Sequence, residues 1–225
     1  MEYIHYKNLF KWEFNNLMVA AQRRYGEISP YYLEKSMEVV QAAITQFGRV
    51  FALRVDLRFA EEPSHDYYEM PTCFQRCDPK AITRFMEALK SRIKAEHNRK
   101  GRTGAPAFPL YIWVRERTGS NCCHYHLVLF FNRDVYRYLG DYRNPDGINM
   151  ATRVQQSWCS AVGLVYPDYA PLVHFPHNGS YYFDQRAMNL RAGSFNDFLL
   201  RLAYLCKTNS KDIGDGQRNF GCSQI

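Results

Sequence analysis

The stretch from 108 to 132, FPLYIWVRERTGSNCCHYHLVLFFN, limits the fold more than any other part of the chain. Two runs rich in aromatic and branched residues flank Gly119, Ser120 and Asn121, which favour turns, and the pattern predicts an antiparallel hairpin. Side chains two apart on a strand share a face. His124 and His126 therefore project together, with Tyr125 on the other side, and Glu116 returns opposite them on the paired strand. Two imidazoles beside a carboxylate form a ligand set for Mg²⁺, Mn²⁺ or Zn²⁺, with positions left open for a substrate. Asp56, midway along RVFALRVDLRFA (49–60), is the competing third carboxylate. The plain alternative is two polar residues entering a buried strand. Glu116 would then pair with Arg115 or Arg117, and Asp56 with Arg54 or Arg58, at the surface.

Around the hairpin, helices and strands alternate. Ser29 caps and Pro30 opens a helix that Gly48 ends. Residues 49–60 alternate as a half-buried strand. Residues 61–79 read as a long loop whose end, Asp78 and Pro79, opens a second helix with a basic end at Arg102. Beyond the hairpin, 148–163 reads as a helix, 171–176 and 180–184 as strand pieces, and 194–211 as a final helix opening at Ser194. The order implies an α+β fold: a central antiparallel sheet of the split βαβ, ferredoxin-like kind, with helices packed mainly on one face. Residues 1–28 read as an N-terminal helical appendage, 29–211 as the main domain and 212–225 as an exposed C-terminal tail.

With 225 residues, 46% of them apolar, the chain can build a sizeable core. A net charge of +7 suits a polyanionic partner. The 17 Tyr and 15 Phe, interleaved with cations, suit single-stranded nucleic acid, although burial in the core is the better account of any one ring. Arg92, Lys94, Arg99, Lys100 and Arg102, with Lys211, are candidates for contacts to a DNA backbone. A solvated helix end that suits the helix dipole explains the first five equally well. No apolar leader and no run of about 18 apolar residues is visible, so reduced thiols, a cytoplasmic location and no membrane contact are expected. A glycine-rich phosphate loop is missing, which excludes a helicase or ATPase motor. Cys73 and Cys77 with Cys122 and Cys123 could seat a structural zinc, but no second clean pair follows and ordinary thiols are the simpler account. His174 and His177 read as a strand end and a turn, and His65 and His97 as surface residues.

In RLAYLCK (201–207), Tyr204 and Lys207 lie three apart and share a helical face, and Lys211 continues the stripe. A phenol ordinarily ionises near pH 10 and is a weak nucleophile at neutral pH. A nearby ammonium or a metal-polarised phosphate makes attack feasible. The alternative is an amphipathic helix with Tyr204 half-buried and Lys207 solvated.

The histidine pair, the upstream carboxylate and the downstream helical tyrosine together resemble the HUH-type endonucleases, the replication initiators, relaxases and transposases that nick single-stranded DNA. The resemblance is closest to the inovirus-type replication proteins of filamentous phages and prophages. It runs through LRVDLRF, YIWVRERTGSNCCHYHLVLFFN, GLV with VHF, and FLLRLAYLCKTNSK, from about residue 45 to 211. Tyr125 departs from the hydrophobic spacer usual between the two histidines. The resemblance implies that 29–211 is an HUH-type nuclease domain, with His124, His126 and Glu116 holding Mg²⁺ or Mn²⁺. It implies Tyr204 as the single nucleophile and Lys207 as its companion. The implied activity is metal-dependent nicking and joining of a replication origin through a covalent 5′-phosphotyrosine, initiating rolling-circle replication in a bacterial cytoplasm. Single-stranded DNA at an origin or hairpin, and the host replication helicase and polymerase, are the implied partners. A non-catalytic DNA-binding protein of the same fold, a related single-tyrosine transposase and an unrelated zinc-stabilised adaptor are the competing readings.

Overall fold

The computed structural model of the chain describes residues 2–60, 75–117, 123–190, 192–209, 211 and 214–225, with side chains from residue 14 onward. Helix α1 (Glu2–Tyr25) leads into α2 (Pro30–Phe47) and strand β1 (Arg49–Leu57). Helix α3 (Ala81–Arg99) crosses to the hairpin β2 (Leu110–Glu116) and β3 (His124–Asn132). Helix α4 (Met150–Val162) returns to β4 (Val173–His174) and β5 (Ser180–Asp184), followed by α5 (Gln185–Asn189), α6 (Gly193–Tyr204) and β6 (Phe220–Cys222).

Local chemistry sets several boundaries. The Ser29 hydroxyl accepts from Tyr32 N at 3.3 Å, and Pro30 sits in the first turn of α2. Gly48, at φ 68°, stops that helix in a conformation other residues rarely adopt. The Asn149 side chain caps α4 by accepting from Thr152 N at 3.0 Å. Helix α6 starts at Gly193 rather than Ser194, and no side chain caps it.

All strand pairings are antiparallel. β3 lies between β1 and β2, β4 and β5 share the outer edge of β1, and β6 pairs with the outer edge of β2. The crossovers β1–α3–β2 and β3–α4–β4 give the expected α+β sheet of split βαβ units. Helices α3 and α4 bury one face, where Phe85, Leu89, Ile93, Val154 and Trp158 meet Leu53, Val55, Leu127 and Leu129.

The other face is not left bare, which corrects the expectation of helices mainly on one side. Helices α2 and α6 cover it, with Val40, Ile44, Phe198 and Leu202 packed on Val50, Ala52, Val128 and Phe130. The pattern of β3 shows why: HYHLVLFFN is apolar on both faces beyond its first three residues, so both must be covered.

Two further segments depart from the sequence reading. The helical appendage read at residues 1–28 is joined to the core from residue 14 onward, where Ala21 and Ile28 pack with Leu33, Met37, Ala203 and Cys206 in a third apolar cluster between α1, α2 and α6. The stretch 214–225 is not an exposed tail. Gly221 lies opposite Trp113 in the sheet, and Arg115 holds Asp215, Gln217 and Asn219 at 2.6–3.1 Å. His97, expected at the surface, is buried. His65, Cys73, Cys122 and the hairpin turn at Gly119 lie outside the described residues. Among the described residues no helix is long and apolar enough to cross a membrane.

Candidate functional site

Strand alternation brings the ionisable residues to one place. On the face covered by α2 and α6, β1 presents Val50, Ala52, Arg54 and Asp56, while β2 presents Ile112, Val114 and Glu116. β3 presents Phe130, Val128, His126 and His124 on the same side, read back from its end. Each strand changes from apolar to ionisable at the same end of the sheet. The register then sets Asp56 opposite His126 and Glu116 opposite His124.

One ligand atom each from Glu116, His124 and His126 lies within 4.8 Å of the others, the one such triplet among the described residues. Trans ligands around an Mg²⁺ at about 2.1 Å are at most about 4.2 Å apart, so a small inward movement would let the set close on an ion. Carboxylate and imidazole donors suit Mn²⁺, Mg²⁺ or Zn²⁺. The residues therefore fit a divalent cation.

Asp56, the alternative third ligand, falls outside this triplet. Its Oδ1 is 2.5 Å from His126 Nδ1. A carboxylate can only accept, so Nδ1 carries the proton and Nε2 faces Glu116 Oε2 at 3.3 Å. That is the position from which a carboxylate would fix the tautomer of His126 if it held a metal. His174 Nδ1 at 3.3 Å and Arg54 Nε at 3.6 Å complete the surroundings of Asp56. The Arg54 pairing expected at the surface is therefore present but buried, and His174 is more than a strand end.

Helix α6 delivers the tyrosine. It runs from Phe195 on Phe183, past Phe198 on Phe130, toward the histidine end of β3. Tyr204 is its last residue, so Lys207 does not share the helix as the spacing suggested. Tight i to i+3 bonds turn the chain after Leu202, and Lys207 forms an isolated β-bridge with Ile28. Flanking bonds from Ser29 N to Cys206 O (2.8 Å) and from Thr208 N to Glu27 O (3.1 Å) fix this turn. Within it, Lys207 Nζ donates to Tyr204 Oη at 2.8 Å and lies 3.9 Å from Glu116 Oε2. One ammonium thus touches both the phenol and the ligand triplet. Arg54 and Tyr25 flank the Tyr204 ring, the latter edge-on at 5.2 Å.

The electrostatics follow from burial and pairing. Burial alone would raise the Glu116 pKa, but hydrogen bonds from His126 and Lys211 hold it far below the usual carboxylate range. Asp56 behaves alike: burial is outweighed by His126, Arg54 and His174, and its pKa falls. For His126, burial is outweighed by Asp56 and Glu116, so the imidazolium is favoured. A cation binding at Nε2 must therefore displace a proton. His124 shifts down, through burial first and the charge of His126 second.

Lys211, read as a DNA contact, is buried and donates to Glu116 Oε1 at 2.7 Å. It belongs to the site. Arg92, Lys94, Arg99, Lys100 and Arg102 do not. They sit on or just after α3, whose core contacts are on the opposite face of the sheet. Arg102 stacks on Tyr136, beyond the far end of β3, a strand that spans roughly 27 Å. Of the proposed zinc ligands, Cys77 is exposed and Cys123 half-buried. Burial pushes the Cys159 thiol up to about 11 and the Cys206 thiol to about 12. Sequence reasoning missed His174 and the Tyr25–Ser29 segment. Arg54 carried a usable signal, because it stands two residues from Asp56 and shares its face.

The family described as the YagK/YfjJ C-terminal domain matches residues 10–223. The chain belongs to that family. It is 36% identical to "Uncharacterized protein YagK" of Escherichia coli K12 over 197 residues, covering 86% of this chain and 92% of that protein. It is 33% identical to "Uncharacterized protein YfjJ" of the same organism over 207 residues, covering 89% and 97%. No solved structure matches significantly. The YagK/YfjJ domain therefore spans the sheet, the helices on both faces and β6 together, although the family description assigns them no activity.

Proposed function

We propose that the protein is a metal-dependent, single-tyrosine endonuclease and ligase acting on single-stranded DNA in a bacterial cytoplasm, and that it nicks an origin or hairpin to start rolling-circle replication. The observation that carries the reading is the shared ammonium: Lys207 Nζ lies 2.8 Å from Tyr204 Oη and 3.9 Å from Glu116 Oε2. A nucleophile candidate and a cation-binding triplet thus face one point, where a phosphodiester could touch both.

A bound Mg²⁺ or Mn²⁺ would neutralise charge developing on the scissile phosphate. The chain's own residues do the rest. Tyr204 Oη attacks phosphorus in line, and the P–O3′ bond breaks. The phenolic proton passes to solvent, and the departing 3′-oxygen gains one, leaving a 3′-hydroxyl for the host polymerase to extend after its helicase opens the duplex. The 5′-phosphate stays on Tyr204 as an ester, so the bond can be rejoined by reversal. Lys207 donates to the phenolic oxygen as negative charge forms on it, and Arg54 and Tyr25 hold the ring. Asp56 orients His126, and Lys211 keeps Glu116 ionised.

The test is a denaturing gel of the protein incubated with labelled single-stranded DNA from its own replicon and Mn²⁺. A DNA-linked protein band that vanishes with Tyr204→Phe and with EDTA is expected. DNA retained in native gels but never cut or linked, across suitable origin sequences, would hand the fold to a binding role without chemistry.

A further inference from the structure

Behind the helical layer on the face away from Tyr204, α3, α4 and the loop before α4 enclose a cleft of about 520 Å³. Arg92, Arg99 and Arg153 line it, against one carboxylate, Asp146. Solvated helix ends usually carry exposed cations, but these differ. Arg153 is 8% exposed, and Arg92 is half-buried with its Nε sealed from water and without a hydrogen-bond partner. Arg92 Nη2 reaches Gln156 O at 3.3 Å, which fixes the guanidinium at the cleft wall. The nearest buried acid, Glu96, is already shared by Arg153 at 3.0 Å and Lys100 at 2.7 Å. Around the cleft four cations, Arg92, Arg99, Lys100 and Arg153, thus stand against two acids, Asp146 and Glu96. Burial pushes the pKa of both Arg92 and Arg153 down, as expected of cations without enough anionic partners.

The same cleft holds a flat surface. The Tyr166 ring lines it and is pinned by donation from its hydroxyl to Pro145 O at 2.7 Å. Guanidinium forks beside a fixed aromatic ring are the two components of a sequence-tolerant nucleic-acid groove, the forks for phosphates and the ring for a base. The volume exceeds what a single inorganic anion needs and lies in the range of small-ligand pockets. The amides of Ala151 and Thr152 at the start of α4 add no donors, because Ala151 N is bonded to Leu139 O and Thr152 N to Asn149.

We infer that this cleft is a second nucleic-acid subsite, in which Arg92, Arg99 and Arg153 grip backbone phosphates and Tyr166 stacks on a base, away from the phosphate that meets Tyr204. The inference rests on the reading of DNA as the substrate, but its test does not involve cleavage. A fluorescein-labelled 30-nucleotide single strand is titrated with the full chain in EDTA, at several salt concentrations, by anisotropy. Arg99→Glu, at an exposed position, should weaken binding about tenfold. The Arg92→Gln, Arg99→Gln pair should do the same and reduce the salt slope by about 1.4, at about 0.7 per phosphate contact on a single strand. Asp146→Asn should tighten binding about two- to threefold, a gain that misfolding does not produce. All variants staying within twofold of the parent with an unchanged slope would overturn the inference. So would polyglutamate competing as well as DNA, which would make the cleft a site for an acidic protein, or inorganic phosphate at low millimolar concentration displacing the strand entirely. If no covalent link ever forms but Arg99→Glu still weakens binding, the subsite stands and the nicking reading falls; the reverse result separates them the other way.

Discussion

The two basic regions of this molecule are built on opposite plans. At the histidine end of the sheet, Lys207 and Lys211 are largely buried and committed, one to Tyr204 and both to Glu116. In the cleft between α3 and α4, the arginines outnumber their acids. A buried charge must be paired or it destabilises the fold, so the first cluster is closed by its own carboxylates. The second, with only Glu96 and Asp146 against its cations, leaves room for an anion from outside. Fixed cations paired with carboxylates suit a chemical step, in which little should reorganise; under-paired guanidinium groups suit adhesion.

The sharpest way to break this contrast is Tyr204→Phe. It should reduce covalent DNA linkage about a thousandfold or more, measured on denaturing gels, with DNA binding intact. Next comes Phe198→Ala, which removes the ring that seats α6 on Phe130. It should cost about 3–5 kcal/mol in urea unfolding and take the tyrosine site down with it. Asp56→Asn tests the outer layer of the proposed metal site: Mn²⁺ affinity by calorimetry should fall about 10–100-fold while the fold persists. An unchanged affinity would mean that Asp56 does not orient His126. Arg99→Glu should weaken strand binding about tenfold and leave linkage at saturating DNA unaltered, because the cleft lies across the sheet from Tyr204.

The smallest effect concerns the C-terminal strand. Arg115 holds the Asp215 carboxyl down to about 2, chiefly through their hydrogen bond. A depressed folded pKa contributes stability that is present above the unfolded value near 3.9 and lost as pH falls through the folded one. Docking of β6 should therefore persist at pH 4 and loosen toward pH 2, by a modest amount because Asp215 is at the surface. Hydrogen exchange at Gly221 and Cys222 reads this out. Gly221→Ala should loosen the strand at any pH, since its Cβ would meet the Trp113 ring at 2.5 Å.

The hairpin, the shared face of His124 and His126, and the return of Glu116 were legible because strand alternation is a local rule with a period of two. The α+β class was legible for the same reason, from the order of periodic segments. Lys207 reached Tyr204 as the spacing suggested, but through a turn pinned by Ile28 rather than a helix. Lys211 and the α3 cations looked alike in sequence, and only the structure separated them.

The sequence by itself determined which residues alternate and therefore which face each can reach, because the backbone geometry of a strand leaves no other choice. Tertiary structure alone decided that both faces are covered, that 220–222 becomes an edge strand, and that 27–29 fixes the Lys207 turn. Those outcomes depend on contacts between residues far apart in the chain, where apolar surface left by one segment is buried by whichever other segment the topology brings to it.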